Sequence, residues 1–346
     1  MARYSEVLTG LEKPTKDQIN HKLKQEKVIV NGIKHTYILE QYLGGGSYGD
    51  VFKVRINDPS STYLAMKISP LTNDTRIEAE AYNRLKDCGS NVVCIFDVFK
   101  SNSYNKDWIV LVQELLESDL IQYNPKESEV SDVILDLLFG LACIHAHELA
   151  HMDIKANNLF VSKKERNVFK IGDLGLVCDK TLKKGKLINI STCTITGTLI
   201  PPDLSDKLYR VTDFPTARSI DIWTLGVYFY KMLAMLNYLP KSELYYMYSS
   251  NAEAIVKGKY HDPIPATFTP TVKLPPNANF GKISPRVISQ VLLSMLQYDS
   301  AKRPRASEII KYIIREMGWA SPGQEIEYSH KIQRLLPCSV EFSKRV

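Results

Sequence analysis

The chain changes texture near Pro125, and that change limits the folds open to it. From about Val28 the runs read as strand. Tyr37-Ile38-Leu39 leads into LGGGSYGDVFKV at Leu43–Val54 and then YLAMKI at Tyr63–Ile68; one helical segment follows at Thr75–Asp87, and then VVCIFDVF and WIVLVQELL. Strand-like runs separated by a glycine turn predict an antiparallel sheet. Beyond Pro125, Val130, Val133, Ile134, Leu137, Leu138, Leu141 and Ile144 recur at the i, i+3, i+4, i+7 spacing of an amphipathic helix. Strands first and helices afterwards predict an α+β chain, with a small β-rich lobe carrying one main helix and a larger helical lobe. The expected boundaries are a polar, lysine-rich extension at 1–30, a small lobe at about 31–114, a large lobe at about 115–317 and a tail at 318–346.

At 346 residues, 44% hydrophobic and 24% charged, the chain has enough apolar material for one large two-lobed unit or two ordinary domains. The formal charge of +6 falls short of a nucleic-acid footprint, so direct nucleic-acid binding is not expected. The six cysteines form no C-x-x-C pair and read as reduced thiols of an intracellular, cytoplasmic protein. The greasiest stretch, 220–239, contains Asp221 and Lys231 and reads as a buried helix rather than a membrane span.

Three sequence features carry chemistry. Gly44, Gly46 and Gly49 form G-x-G-x-x-G, a spacing that lets backbone N–H groups approach phosphate oxygens. A dinucleotide-binding reading needs a helix at the third glycine, whereas DVFKV continues as strand. Lys67 lies in the apolar strand LAMK; turned inward, it needs a carboxylate to hold it. Glu78 is preferred because Tyr82 and Leu85 share its helical face, with Glu80 as the competitor. The third feature is HMDIKANN at His151–Asn158, followed by KIGDLG at Lys170–Gly175.

Together these segments resemble the eukaryotic protein kinase superfamily, whose catalytic loop reads H-R-D-L-K-x-x-N and whose metal motif reads D-F-G. The resemblance implies ATP and Mg²⁺ as cofactors and a protein as substrate. It implies catalytic roles for Lys67, Glu78, Asp153 and Lys155, and metal ligation by Asn158 and Asp173. For ATP it implies Leu43, Gly44, Gly46, Gly49, Val51, Ala65 and Lys67, with Glu114, Leu116 and Asp119 at the adenine and ribose. It extends to Gly197-Thr198 and Pro201-Pro202-Asp203, to Asp221 in DIWTLGV, and to Arg303 as the expected partner of Asp203.

The departures shape the functional expectation. Met152 stands where the family's loop has the arginine that commonly pairs with a phosphorylated activation-loop residue, although Ser191, Thr192, Thr194 and Thr196 are available for modification. Leu174 replaces phenylalanine, and PPD replaces A-P-E. HMDIK and KIGDLG are similar to Wee-type kinases, while IEAEAYNRL is similar to the casein-kinase-1 and vaccinia-related kinases. The expectation is a monomeric Ser/Thr kinase that works without activation-loop phosphorylation. The competitors are a Wee-like or dual-specificity kinase acting on tyrosine, a weakly active kinase-fold scaffold and a small-molecule phosphotransferase.

Overall fold

The computed structural model describes residues 15–46, 49–58, 62–103, 106–163, 167–180, 193–194, 201–204, 210–211, 213–249 and 268–321. The chain forms two compact units, one holding most of the residues before Glu117 and the other most of those after it.

In the first unit, strands β1 (Ile29–Asn31), β2 (Thr36–Gly46), β3 (Gly49–Ile56), β4 (Tyr63–Pro70), β5 (Ile95–Ser103) and β6 (Lys106–Glu114) form one sheet in the order β1-β2-β3-β4-β6-β5. Every neighbouring pair is antiparallel. Val54, Leu64, Met66, Ile68, Val110 and Val112 bury the face that makes this unit's core.

Two helices belong to this unit. Helix α1 (Lys16–Gln25) starts at a Thr15–Gln18 capping box, which satisfies N–H groups the first turn cannot pair. It buries Ile19 and Leu23 in the same core. Helix α2 (Asn73–Arg84) is capped by Thr72 and continues as a 3₁₀ turn to Asp87, close to the expected segment.

The second unit is built on helices. Helix α3 (Val130–Ala146) buries all seven residues of the predicted stripe. Helix α4 (Phe214–Met235) begins with Asp213 as its N-cap and a proline in its first turn, which suits the fixed φ of that residue. No described helix is long and apolar enough to cross a membrane. Helices α5 (Lys241–Ser249), α6 (Pro285–Met295) and α7 (Ala306–Glu316) complete the helical set among the described residues.

Short strands carry the loops that matter here. They are β7 (Ser118–Asp119), β8 (Leu149–Ala150), β9 (Leu159–Lys163), β10 (Asn167–Ile171) and β11 (Cys178–Asp179). β7, β9 and β10 form one small sheet, and β8 pairs with β11.

One expectation is corrected. Cys88, Cys94, Cys143 and Cys178 are bonded in disulfides, and no described cysteine is free. A search for local C-x-x-C spacing cannot see cysteines paired by the fold.

Candidate active site

Chemistry in the sheet unit centres on Lys67. Its place on β4, between β3 and β6, fixes its backbone on both sides. Lys67 Nζ donates to Glu78 Oε1 at 2.7 Å and Oε2 at 3.0 Å. Both residues are buried, while Glu80 is exposed, so the lysine's carboxylate partner is Glu78. Tyr82 and Leu85 are buried with it, as the helical spacing predicted. Removing one member of a buried pair leaves an uncompensated charge and costs about 3–5 kcal/mol.

The glycine-rich segment is a β2–β3 hairpin in which Gly44 pairs with Val51 and Gly46 with Gly49. Gly49 has φ +134°, and a Cβ there would lie 2.5 Å from the Ile68 carbonyl. Glycine is required at that position by both conformation and space. A Cβ on Gly44 would meet nothing within 4 Å, so that backbone has open space beside it. Residues 47–48 at the hairpin tip lie outside the described residues. Leu43 is the residue at which the ladder slips, Val51 pairs with Lys67, and Ala65 pairs with Gln113.

At the end of β6, Glu114 N donates to the Cys94 carbonyl at 3.0 Å, and Glu114 Oε1 accepts from the Cys94 N–H at 2.8 Å. Leu116 is the last residue of the Val93–Leu116 segment of the sheet unit. Asp119, in the other unit, uses Oδ1 to cap the turn at Ile121 and Gln122.

In the helical unit the catalytic-loop motif is held from beneath by Asp221. Its fully buried carboxylate accepts from His151 N at 2.7 Å, Met152 N at 2.8 Å and His145 Nε2 at 2.9 Å. The His151 ring continues the chain: Nε2 donates to Gly172 O at 2.9 Å, and Nδ1 accepts from Asp153 N at 3.2 Å. Gly172 N in turn donates to Asn158 O at 2.9 Å. The residue before Asp173 is thus tied to both ends of the HMDIKANN loop.

Three predicted side chains meet in that loop. Asp153 Oδ2 accepts from Lys155 Nζ at 2.8 Å and from Asn158 Nδ2 at 2.9 Å. Both bonds end on one oxygen, which leaves Oδ1 as the acceptor for a third proton. Asn158 also donates to Asp153 O at 2.8 Å, so its Nδ2 is engaged and its Oδ1 is the amide atom left for a cation. Asn158 Oδ1 and the Asp173 carboxylate are both oxygen donors, the type a hard divalent ion such as Mg²⁺ takes. Asp173 and Met152 are held at φ 58° and 66°, a left-handed backbone that non-glycine residues adopt at a cost.

Met152 points into an apolar cluster with Ala150, Cys178, Phe214, Ala217 and Ile220, against which Leu176 packs. The β8–β11 ladder and a Lys180–Glu148 ion pair hold the adjoining 178–180 segment. Ser191, Thr192, Thr196 and Gly197-Thr198 lie outside the described residues. Arg303 lies against Asp203: Nη2 donates to its Oδ1 at 2.7 Å, with further bonds to the Gln297, Tyr298 and Ser219 carbonyls. Burial lowers the Arg303 pKa, and the Asp203 charge works against that shift.

Sequence reasoning did not pick out His145, although it follows Ile144 on the buried face of α3, where a polar residue signals a partner.

Residues 37–313 match the family described as protein kinase domain. Among curated relatives, the serine/threonine-protein kinase crk1 of Schizosaccharomyces pombe is 29% identical over 223 residues, covering 60% of this chain and 60% of that protein. Cyclin-dependent kinase 14 of Xenopus laevis is 29% identical over 214 residues, covering 58% of this chain and 45% of its own length. The titin homolog of Caenorhabditis elegans is 25% identical over 219 residues, covering 60% of this chain and 1% of its own. The matched stretch therefore spans 60% or less of each of these relatives.

Proposed function

The chain belongs to the protein kinase family, and from that premise we propose that it transfers the γ-phosphate of ATP to serine or threonine hydroxyls of protein substrates. The observation that carries this reading is the loop in which Asp153, Lys155 and Asn158 converge while Asp221 and His151 fix their backbone. A static, charge-lined loop of this kind suits phosphoryl transfer, where catalysis is mostly positioning and electrostatic stabilisation.

The residues divide the work as follows. Asp153 accepts and orients the substrate hydroxyl proton, and Lys155 neutralises charge on the transferring group. Lys67, held by Glu78, binds the α- and β-phosphates under the backbone of Gly44, Gly46 and Gly49. Leu43, Val51 and Ala65 provide apolar contact for adenine, Glu114 and Leu116 offer it backbone groups, and Asp119 receives the ribose through its second oxygen. Asn158 and Asp173 hold magnesium, which when bound screens the phosphate charges. Lys155 and the name of one relative, the serine/threonine-protein kinase crk1, support Ser/Thr specificity. The Wee-like loop supports tyrosine as the second reading.

The apolar seat of Met152 supports activity without activation-loop phosphate, because there is no arginine at that position to receive one. We place the kinase domain at about 31–317 in a monomeric protein. Radiolabelled ATP with a generic protein substrate, comparing wild type with Asp173→Asn, tests the enzyme reading: label must appear with the first protein and not the second. Equal incorporation by both, or none by either, sinks it and favours a scaffold. Phosphoamino-acid analysis of the product decides between hydroxyl types. Loss of activity after phosphatase treatment would overturn the claim about Met152.

A further inference from the structure

Helix α1 lies ahead of the segment that matches the kinase family, which begins at residue 37. Its polar face nevertheless touches the backbone that leads into the glycine-rich hairpin. Asn20 Oδ1 accepts from Tyr42 N at 2.7 Å, and Lys16 Nζ donates to Leu43 O at 3.0 Å. These contacts fall where the β2–β3 ladder slips: Tyr42 pairs with Phe52 and Gly44 with Val51, so Leu43 is passed over. A bulged residue is left unpaired by its ladder, and its backbone needs another partner. Here α1 supplies one.

The contact continues across the hairpin. The Tyr42 hydroxyl donates to Asp50 Oδ1 at 3.0 Å, and the Tyr42 ring packs at 5.2 Å against Phe52. Burial and the Asp50 charge push the Tyr42 phenol up to about 12, so it remains a donor throughout the ordinary pH range. A path of direct contacts thus runs from α1 through Tyr42 to Asp50, the residue after the third glycine. Helix α1 is itself anchored, by the Thr15–Gln18 capping box at its start and by the burial of Ile19 and Leu23, so Asn20 is presented from a fixed element.

We propose that Asn20 and Lys16 are positioning residues for the glycine-rich loop, which makes α1 a working part of the nucleotide site. The inference rests on the reading of that loop as the ATP phosphate cover. Side chains that hold a loop in its binding geometry lower the entropy lost on binding, and their removal is felt in nucleotide affinity more than in the chemical step.

The test uses the full chain with magnesium-ATP and a peptide substrate. Asn20→Ala should speed amide exchange at Tyr42 and raise KM for ATP about three- to tenfold, the size expected for one lost hydrogen bond. kcat should stay within about twofold, and KM for the peptide should not move. Asn20→Asp keeps an acceptor at the same place and should restore both readouts; Lys16→Ala should give a smaller rise in KM, because that contact is exposed. Unchanged Tyr42 exchange in Asn20→Ala overturns the inference. So does faster exchange without a change in KM for ATP, or a common loss in kcat and both KM values with a lowered melting temperature, which marks a merely structural helix. A wild-type chain that binds no magnesium-ATP by calorimetry overturns the proposed function first, and this inference with it.

Discussion

The two units fix their charged groups by different means. In the sheet unit, the pair Lys67–Glu78 joins one side chain to another, each on its own element. In the helical unit, Asp221 joins a side chain to main-chain N–H groups of the loop it supports. The first arrangement can be dismantled by changing both partners, since both are side chains. The second cannot, because His151 and Met152 keep their N–H groups whatever side chain they bear. A clamp that paired substitutions can remove and a floor that they cannot follow from that difference.

The largest expected effect comes from cutting the clamp on one side. Glu78→Gln should cost about 3–5 kcal/mol of stability in denaturant unfolding, since the buried ammonium loses its countercharge. The double variant Lys67→Met/Glu78→Leu should recover most of that loss while remaining inactive. If the double variant is as unstable as the single one, the pair is not separable and the contrast fails. Next in size, Asp221→Ala should cost about 2–4 kcal/mol, because two buried N–H donors lose their acceptor. No second substitution at His151 or Met152 should restore it, and a screen that found one would break the comparison from the other side.

Smaller effects sharpen it. Arg303→Lys should cost about 1–2 kcal/mol in thermal unfolding, because an ammonium cannot reproduce the guanidinium fork shared by Asp203 and the three carbonyls. Met152→Leu should cost less than about 1.5 kcal/mol, as a volume-conserving swap in an apolar pocket. Its activity should stay indifferent to phosphatase. Sensitivity appearing there would mean that the apolar Met152 cluster does not free the kinase from activation-loop phosphate.

What the sequence made legible was local chemistry. The glycine spacing, Lys67 on its strand and the order of Asp153, Lys155 and Asn158 are all written within short segments. Glu78 was legible because helical spacing put Tyr82 and Leu85 on its face. Asp221 and Arg303 were reached through the resemblance, since their partners lie 70 and 100 positions away, beyond any pattern of spacing. His145 escaped for the same reason, its partner Asp221 lying 76 positions away. The first thirty residues read as a polar, lysine-rich extension, and nothing in them marked where a helix docks. Asn20 and Lys16 acquire meaning from a slip in the β2–β3 ladder that no local rule marks.

Helix α1 has one more consequence, for association between chains. β1 covers β2 through Ile38, and from there toward the hairpin the contact at Tyr42 N comes from α1. An uncovered strand edge is a template on which another chain can pair. A shortened chain beginning at residue 31 would present that edge, together with the apolar surface now under Ile19 and Leu23. Colloidal behaviour, as much as catalysis, therefore depends on residues ahead of the kinase match.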